Sequence, residues 1–413
     1  MFNQKLNSSI GINIVGHVTG DFGLGEGVRG TLRALEADRI PFAIQDIKED
    51  SQQNLDSTYE DFSEERPYPV NIVHTIPHPL FLQRIGTEYF KDRYNIGFWI
   101  CELLKFPVEW QSAFDFFNEI WTYSNYTAEA ISAVSPIPVF KVAPSIHLPP
   151  NSLDRKDLGL PKDKFIFLFI FDFASIFERK NPLGTIEAFK RAFGKSNSDV
   201  LLILKFRLHP QFVHLRDRLK ACTEGWRSIR LIEANMTKKE VNALIDNCDC
   251  YVSLHRAEGF GLTMAEAMFY GKPVIATAYS ANLDFMNVCN SFLVKYHLVT
   301  NIKAIGPYPA GSVWANPDID HAASLMHYVF NNYTEAKQIG ARAADEIRYL
   351  LSPKAIGKQM RKRLNYINSK INDSKDLKTI YDLCVERDNF EGRVQIYKQK
   401  AKQVHKELEK FQS

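Results

Sequence analysis

The sequence predicts an α/β protein: two doubly wound domains in tandem, each a parallel sheet covered by helices on both faces, followed by a helical tail. Three observations predict it. Short apolar runs alternate with helix-like segments from residue 10 onwards, the order that builds a parallel sheet. Residues 143–164 carry four prolines and few apolar side chains, and the alternation restarts after them. From Val394 the apolar positions step by three or four through Tyr397, Ala401, Val404, Leu408 and Phe411, which is one helical stripe. The expected domains are 1–150, then 151–370 with a last helix crossing back to the first, then a tail at 371–413.

In chain order, Ile10–Val18 is the first expected strand, TGDFGLGEG a glycine-rich loop, and Val28–Arg39 a helix. Further strands are expected at Pro41–Ile47, Val70–His74, Tyr94–Trp99, Ile120–Tyr123 and Val139–Val142. After the proline-rich stretch, strands are expected at Phe165–Phe171, Val200–Phe206, Ile229–Ile232, Cys250–Leu254 and Pro273–Thr277. Helices are expected between them at Pro182–Phe193, His214–Cys222, Lys238–Asn247 and Leu262–Tyr270.

Apolar residues are 45% and charged residues 24% of the 413, a globular balance that excludes disorder as the main character. Lys plus Arg is 51 and Asp plus Glu 48, for a net charge of +3, which argues against a nucleic-acid partner. None of the six cysteines has CxxC spacing, so neither a zinc site nor a disulfide framework is expected, and the thiols read as reduced. The first residues lack a signal-peptide pattern. The longest apolar run, Phe165–Phe171, is far short of the about 20 residues a membrane span needs. A soluble cytoplasmic protein follows, with any membrane contact peripheral at the inner face. The stripe at 393–413 carries six Lys/Arg against two Glu. It either packs on its own chain, docks on anionic lipid or pairs with a second helix.

The segment from His255 to Thr277, HRAEGFGLTMAEAMFYGKPVIAT, carries the most chemistry. Glu258 and Glu266 are separated by seven residues, and Gly259-Phe260-Gly261 opens a helix directly after a strand. Free N–H groups and the positive dipole end at such a helix start suit a phosphate. Glycines let a ligand approach the backbone. Two carboxylates at different depths can each grip a pair of vicinal hydroxyls. The plainer reading makes Glu258 a helix cap and Glu266 solvated surface, but the surrounding GFGL, AEAM and YGKPVIAT speak against chance. In this context the segment resembles the donor-site signature of the retaining glycosyltransferases of family four, glycosyl transferases group one. These have the GT-B fold, in which two Rossmann-like domains face a cleft. The resemblance covers roughly residues 10–365.

It implies that domain 1–150 binds an acceptor and domain 151–370 a nucleotide sugar. Glu258 would contact hydroxyls of the donor sugar, Glu266 the ribose, and backbone at Gly259, Phe260, Gly261 and Leu262 the phosphates or sugar. The donor is a UDP- or GDP-linked sugar acting as substrate, with no further cofactor, and the acceptor is a saccharide, glycolipid or glycoprotein. No metal is expected, because fixed cations stabilise the leaving diphosphate. For that role the resemblance implies an Arg five residues before a Lys. Lys180 matches and Ser175 stands at the Arg position, so either Arg179 beside Lys180 takes the role or His255, Arg256 or Lys205 helps. Arg179-Lys180 at a helix start opposes the dipole, which a bound anion would explain.

Gly25-Glu-Gly27-Val-Arg-Gly30 is a literal G-x-G-x-x-G. It keeps open an NAD-dependent oxidoreductase, although the dinucleotide fingerprint follows its strand directly and this one does not. A non-catalytic scaffold is the third reading, kept open by Ser175. Under the resemblance Gly23, Gly25 and Gly27 face the donor, and Asp21 meets an acceptor hydroxyl. His74 at a strand end lies beside the donor sugar. Glu102 and the aromatic Trp99 are expected on the acceptor side, and the small loop Ser280-Ala281-Asn282 near the diphosphate. Most of the ten aromatics in 98–126 read as ordinary core.

Overall fold

The computed structural model describes residues 10–48, 54–207, 209–306 and 308–373. The chain divides into two compact units, Met1–Met360 and Arg361–Ser413. The first unit holds two six-stranded parallel sheets. One has the order β2–β1–β3–β4–β5–β6, from β1 (Ile12–Gly16), β2 (Phe42–Asp46), β3 (Val70–His74), β4 (Tyr94–Trp99), β5 (Glu119–Thr122) and β6 (Val139–Lys141). The other has the order β12–β11–β10–β7–β8–β9, from β7 (Phe165–Asp172), β8 (Val200–Arg207), β9 (Ile229–Glu233), β10 (Cys250–Ser253), β11 (Val274–Thr277) and β12 (Phe292–Val294). An antiparallel hairpin, β13 (Tyr296–Thr300) and β14 (Val313–Pro317), stands apart from both.

The helices are α1 (Gly23–Ala37), α2 (Pro79–Ile85), α3 (Asn125–Ser132), α4 (Phe177–Lys180), α5 (Pro182–Phe193) and α6 (Val213–Thr223). They continue with α7 (Lys238–Asn247), α8 (Leu262–Phe269), α9 (Ile319–Asn331), α10 (Tyr333–Leu350) and α11 (Pro353–Asp373). Central strands read as unbroken apolar runs because both their faces are covered: every residue of β8 is buried. In the first sheet one rung is polar instead. Asn13, Asn71 and Asn95 are register partners, and their amides bond sideways at 2.9 and 2.8 Å, so the buried groups are satisfied.

In each sheet the chain changes its direction of growth beside one strand: β1 lies between β2 and β3, and β7 between β8 and β10. The crevice outside the carboxyl ends at such a point is where open α/β sheets bind ligands. Within the first unit, the start of α11 returns to the first sheet. A Cβ at Gly357 would lie 2.2 Å from the Ala34 carbonyl oxygen, and Gln359 Nε2 donates to the Lys141 carbonyl at 2.7 Å.

One correction bears on the site. The first strand ends at Gly16 and α1 begins at Gly23, so Gly23, Gly25 and Gly27 belong to a helix and not to a loop. Residues 374–413, with the stripe at 393–413, lie outside the described residues. Among the described residues no helix is long and apolar enough to cross a membrane.

Candidate active site

A cleft of about 670 Å³ opens at the carboxyl ends of both sheets. The first sheet contributes His17, Asp21, Gly23, Glu26 and Arg29 after β1, and Glu102 after β4. The second contributes Asp172 and Ser175 after β7, Arg179, Lys180, Lys205, Arg207, Lys238, the stretch 258–263 and Glu266.

Glu258 sits in the turn between β10 and α8. Its Oε1 accepts from Lys180 Nζ at 2.5 Å and lies 3.3 Å from Arg179 Nη1. Burial alone would raise its pKa, but Lys180 and Arg179 outweigh it and hold the carboxyl at about 2. Its backbone is braced from the next loop: Glu258 N donates to Ser280 Oγ at 2.9 Å, and its carbonyl accepts from Ala281 N at 3.3 Å.

Arg179 is 3% exposed. Nη1 donates to the Ala257 carbonyl at 2.8 Å and Nη2 lies 3.6 Å from Glu102. Burial opposes its charge, but Tyr308, Glu258 and Glu102 raise its pKa and keep it protonated. The guanidinium is thus engaged by the protein, and Lys180 is the more accessible cation of the two. Neither sits in the first turn of the long helix. They close the four-residue α4, and α5 begins at Pro182 after its N-cap Asn181, whose side chain accepts from Gly184 N at 3.2 Å. Lys205, 8% exposed, is pushed down to about 8 by burial and by Arg207. Arg207 and His209 both reach Asp172, at 2.7 and 3.0 Å.

At the mouth of α8, Gly259 is required by packing. A Cβ there would lie 2.3 Å from Ile100 Cγ2, and Ser124 Oγ donates to its carbonyl at 3.0 Å. Gly261 is the N-cap at φ +97°, a conformation that favours glycine. Phe260 stacks edge-on to Tyr123 at 6.0 Å, and Leu262 lines the cleft. Glu266, 2% exposed, pairs with Lys238. It is therefore not a solvated surface residue.

Asp21, Gly23, Glu102, Arg179, Lys180, Lys205, Glu258, Gly259, Phe260, Gly261, Leu262 and Glu266 all line the cleft. The other expected residues do not. Gly25 packs on backbone: a Cβ would lie 2.1 Å from the Gly20 carbonyl oxygen. At Gly27 it would meet the Tyr123 hydroxyl at 1.9 Å. These glycines admit protein, not a ligand. Trp99 is fully buried, stacked on Phe106 at 5.8 Å, because β4 is a central strand covered on both faces.

Ser280 and Asn282 stand behind the wall. Ser280 braces Glu258, and Asn282 Oδ1 meets His255 Nε2 at 3.1 Å. His255 is fully buried, and Arg256 turns away to Asn316 at 2.6 Å. His74 is fully buried and reaches the cleft only through Tyr123, with its Nε2 2.8 Å from the Tyr123 hydroxyl.

His74 has a consequence for stability. Burial, with His17 nearby, pushes its pKa from 6.5 down to about 3. The depressed folded value means that stability is fully present above pH 6.5 and is lost as pH falls from there towards 3. The loss approaches about 1.4 kcal/mol per pH unit for such a group. Urea unfolding at pH 7 and pH 5 should show the decline, and His74→Gln should make it shallower. An equal slope in the variant would remove this account.

Among the cleft residues that sequence reading missed are Tyr308 and Lys238. Tyr308, on the connection between β13 and β14, places its hydroxyl 3.5 Å from Glu102 Oε2, and nothing local in its sequence marks it. Lys238 did carry a signal. A lysine in the first helical turn opposes the dipole, the argument already applied to Arg179-Lys180.

Two doubly wound domains facing a charged cleft define the GT-B class of fold. Residues 151–346 match the family described as glycosyl transferases group 1. The chain is similar in structure to Anabaena HepE in complex with UDP and glucose, with a TM-score of 0.62 and 14% identity, covering 86% of this chain and 100% of that one. It is equally similar to the sucrose-phosphate synthase of Thermosynechococcus elongatus, with a TM-score of 0.62 and 15% identity, covering 87% and 100%. Among curated sequences it is similar to the trehalose synthase of Pyrococcus horikoshii, 28% identical over 132 residues. That match spans 32% of this chain and 26% of the length of that relative.

Proposed function

We propose that this protein is a retaining glycosyltransferase that moves a sugar from a nucleoside-diphosphate sugar to a saccharide, glycolipid or glycoprotein acceptor. The observation that carries it is the Glu258–Lys180–Arg179 knot at the mouth of α8, which Glu102 of the first domain joins at 3.6 Å from Arg179, in a cleft that Asp21 also lines. The donor diphosphate lies against Lys180 and the free N–H groups that open α8, with Lys205 as a second cation in place of the family arginine. These fixed charges act where the leaving group becomes negative, so the reaction runs without a metal. Glu258 accepts hydroxyls of the transferred sugar, and Glu266 those of the ribose. The C1–oxygen bond to the diphosphate breaks as the acceptor oxygen bonds to C1 from the same face. The acceptor proton passes to the departing phosphate oxygen. Glu258, held by two cations, is not free to serve as a nucleophile, which supports this same-face route.

UDP is the first donor to test, since HepE was captured with it. A thermal-shift screen of UDP-, GDP- and ADP-sugars, with NADH as the control, separates the readings. A ligand at 100 times its Kd stabilises by about 2.7 kcal/mol, so one nucleotide sugar should raise the unfolding midpoint clearly and then release its nucleoside diphosphate. A shift with NADH alone would replace this reading with an oxidoreductase. The structure disfavours that outcome, because Gly25, Gly27 and Gly30 lie inside α1.

A further inference from the structure

Glu266 lies on the buried side of α8, and a carboxylate so deep needs a charged or hydrogen-bonding partner. Lys238 is that partner, and the two form an ion pair in the wall of the cleft. Lys238 is the first residue of α7. Its place is set by a capping box, in which Thr237 Oγ1 accepts from Glu240 N at 3.3 Å and Glu240 Oε2 accepts from Thr237 N at 2.8 Å. The helix dipole does not favour a cation there, so what the side chain reaches explains the residue. A second carboxylate faces the same ammonium from the first domain. Glu26 of α1 keeps 12% of its side chain exposed, and against the cost of its burial Lys238, Arg33 and Arg29 together hold it at about 2. Glu26 has two arginines of its own, at 2.6 and 3.1 Å. Glu266 has Lys238. Burial pushes the Glu266 carboxyl up, and Lys238 is the strongest influence against it.

We propose that Lys238 is a positioning residue for nucleotide recognition: it keeps Glu266 ionised and oriented, so that the carboxylate accepts both hydroxyls of the ribose. The proposal rests on the nucleotide-sugar reading of the same cleft. An ionised carboxylate offers two acceptor oxygens, whereas protonation turns one of them into a donor and rotation takes them off the ribose. The role is therefore specific to the ribose and does not concern the phosphates.

The test is calorimetric binding of UDP, GDP and ADP, each beside its 2′,3′-dideoxy form. For whichever diphosphate binds, the wild type should prefer the ribose form by about tenfold or more, the size expected of hydrogen bonds to a charged group. Lys238→Met should collapse that preference towards unity by weakening the ribose form alone. Glu266→Gln should do the same, and Lys238→Arg should retain most of the preference, which also controls for folding. Equal weakening of both forms in Lys238→Met would mean that Lys238 touches the phosphates, and would overturn the proposal. An unchanged preference would overturn it too. Failure of all three diphosphates to bind the wild type is a different result, since it removes the nucleotide-sugar reading itself.

Discussion

Lys180→Ala should lower turnover by roughly 10²–10³, the usual cost of removing one fixed group aimed at developing charge, with a small change in stability. Lys180 keeps 18% of its side chain exposed, and without it Glu258 still has Arg179 at 3.3 Å. Glu258→Ala should lose as much activity but should also destabilise the fold. It leaves the buried Arg179 and the partly buried Lys180 facing each other, and breaking a fully buried pair by removing one partner costs about 3–5 kcal/mol, an upper bound here. Arg179 keeps its bond to the Ala257 carbonyl at 2.8 Å, but its one remaining carboxylate is Glu102, at 3.6 Å. Steady-state rates with the donor found by the screen, together with urea unfolding, separate the two effects. Unaltered turnover in Lys180→Ala would remove this lysine from the chemistry. Equal stability of both variants would mean that the knot is weaker than its geometry indicates.

Gly25→Ala should destabilise the protein, although the residue lies in a helix. Helix propensity favours alanine by about 1 kcal/mol. Against that, the new methyl would lie 2.1 Å from the Gly20 carbonyl oxygen and 2.8 Å from that of His17. Both are backbone atoms of the turn held by Arg29, which donates to the Val18 and Gly20 carbonyls at 2.7 and 2.9 Å. Overpacking of this kind costs about 1–3 kcal/mol or more, so the clash wins. The displaced turn carries His17 and Asp21, so nucleotide binding should weaken as well. Gly23→Ala is the matched control, since nothing lies within 4 Å of its added carbon. It should leave stability unchanged or slightly improved. A Gly25→Ala variant as stable as the wild type would show that α1 can slide along the turn.

The expected strands fall close to the observed ones because each is short, apolar and bounded by turn residues. β3 and β4 were expected at the residues where they occur, and β7 and β8 differ only by one residue at the end. The start of α1 was misplaced because glycine, which has low helix propensity, occupies three of its first five positions. Its reason for being there is the Gly20 backbone and the Tyr123 hydroxyl, which come from the folded turn and from beyond β5. Glu258 and Glu266 were legible because their spacing sits in one helix–strand context, and Lys180 because it falls where the family resemblance implies a lysine. Trp99 was misread because an aromatic at the end of a strand looks the same whether its ring faces a cleft or Phe106 and Phe114. Tyr308 gave no local sign, since its partner Glu102 lies 206 residues away.

By itself the sequence determined the two parallel sheets, the change of pattern at 143–164, and the two glutamates around a glycine-rich helix start. These are properties of neighbours in the chain: periodicity, proline content and helix-start chemistry. Only the tertiary structure decided which groups are paired. It showed that Arg179 turns inward to Ala257 and Glu258, that His74 stands behind Tyr123, and that Glu266 shares its charge with Lys238. The physical reason is that ion pairs and steric fits form between side chains brought together from distant strand ends, and no local spacing records which ends meet.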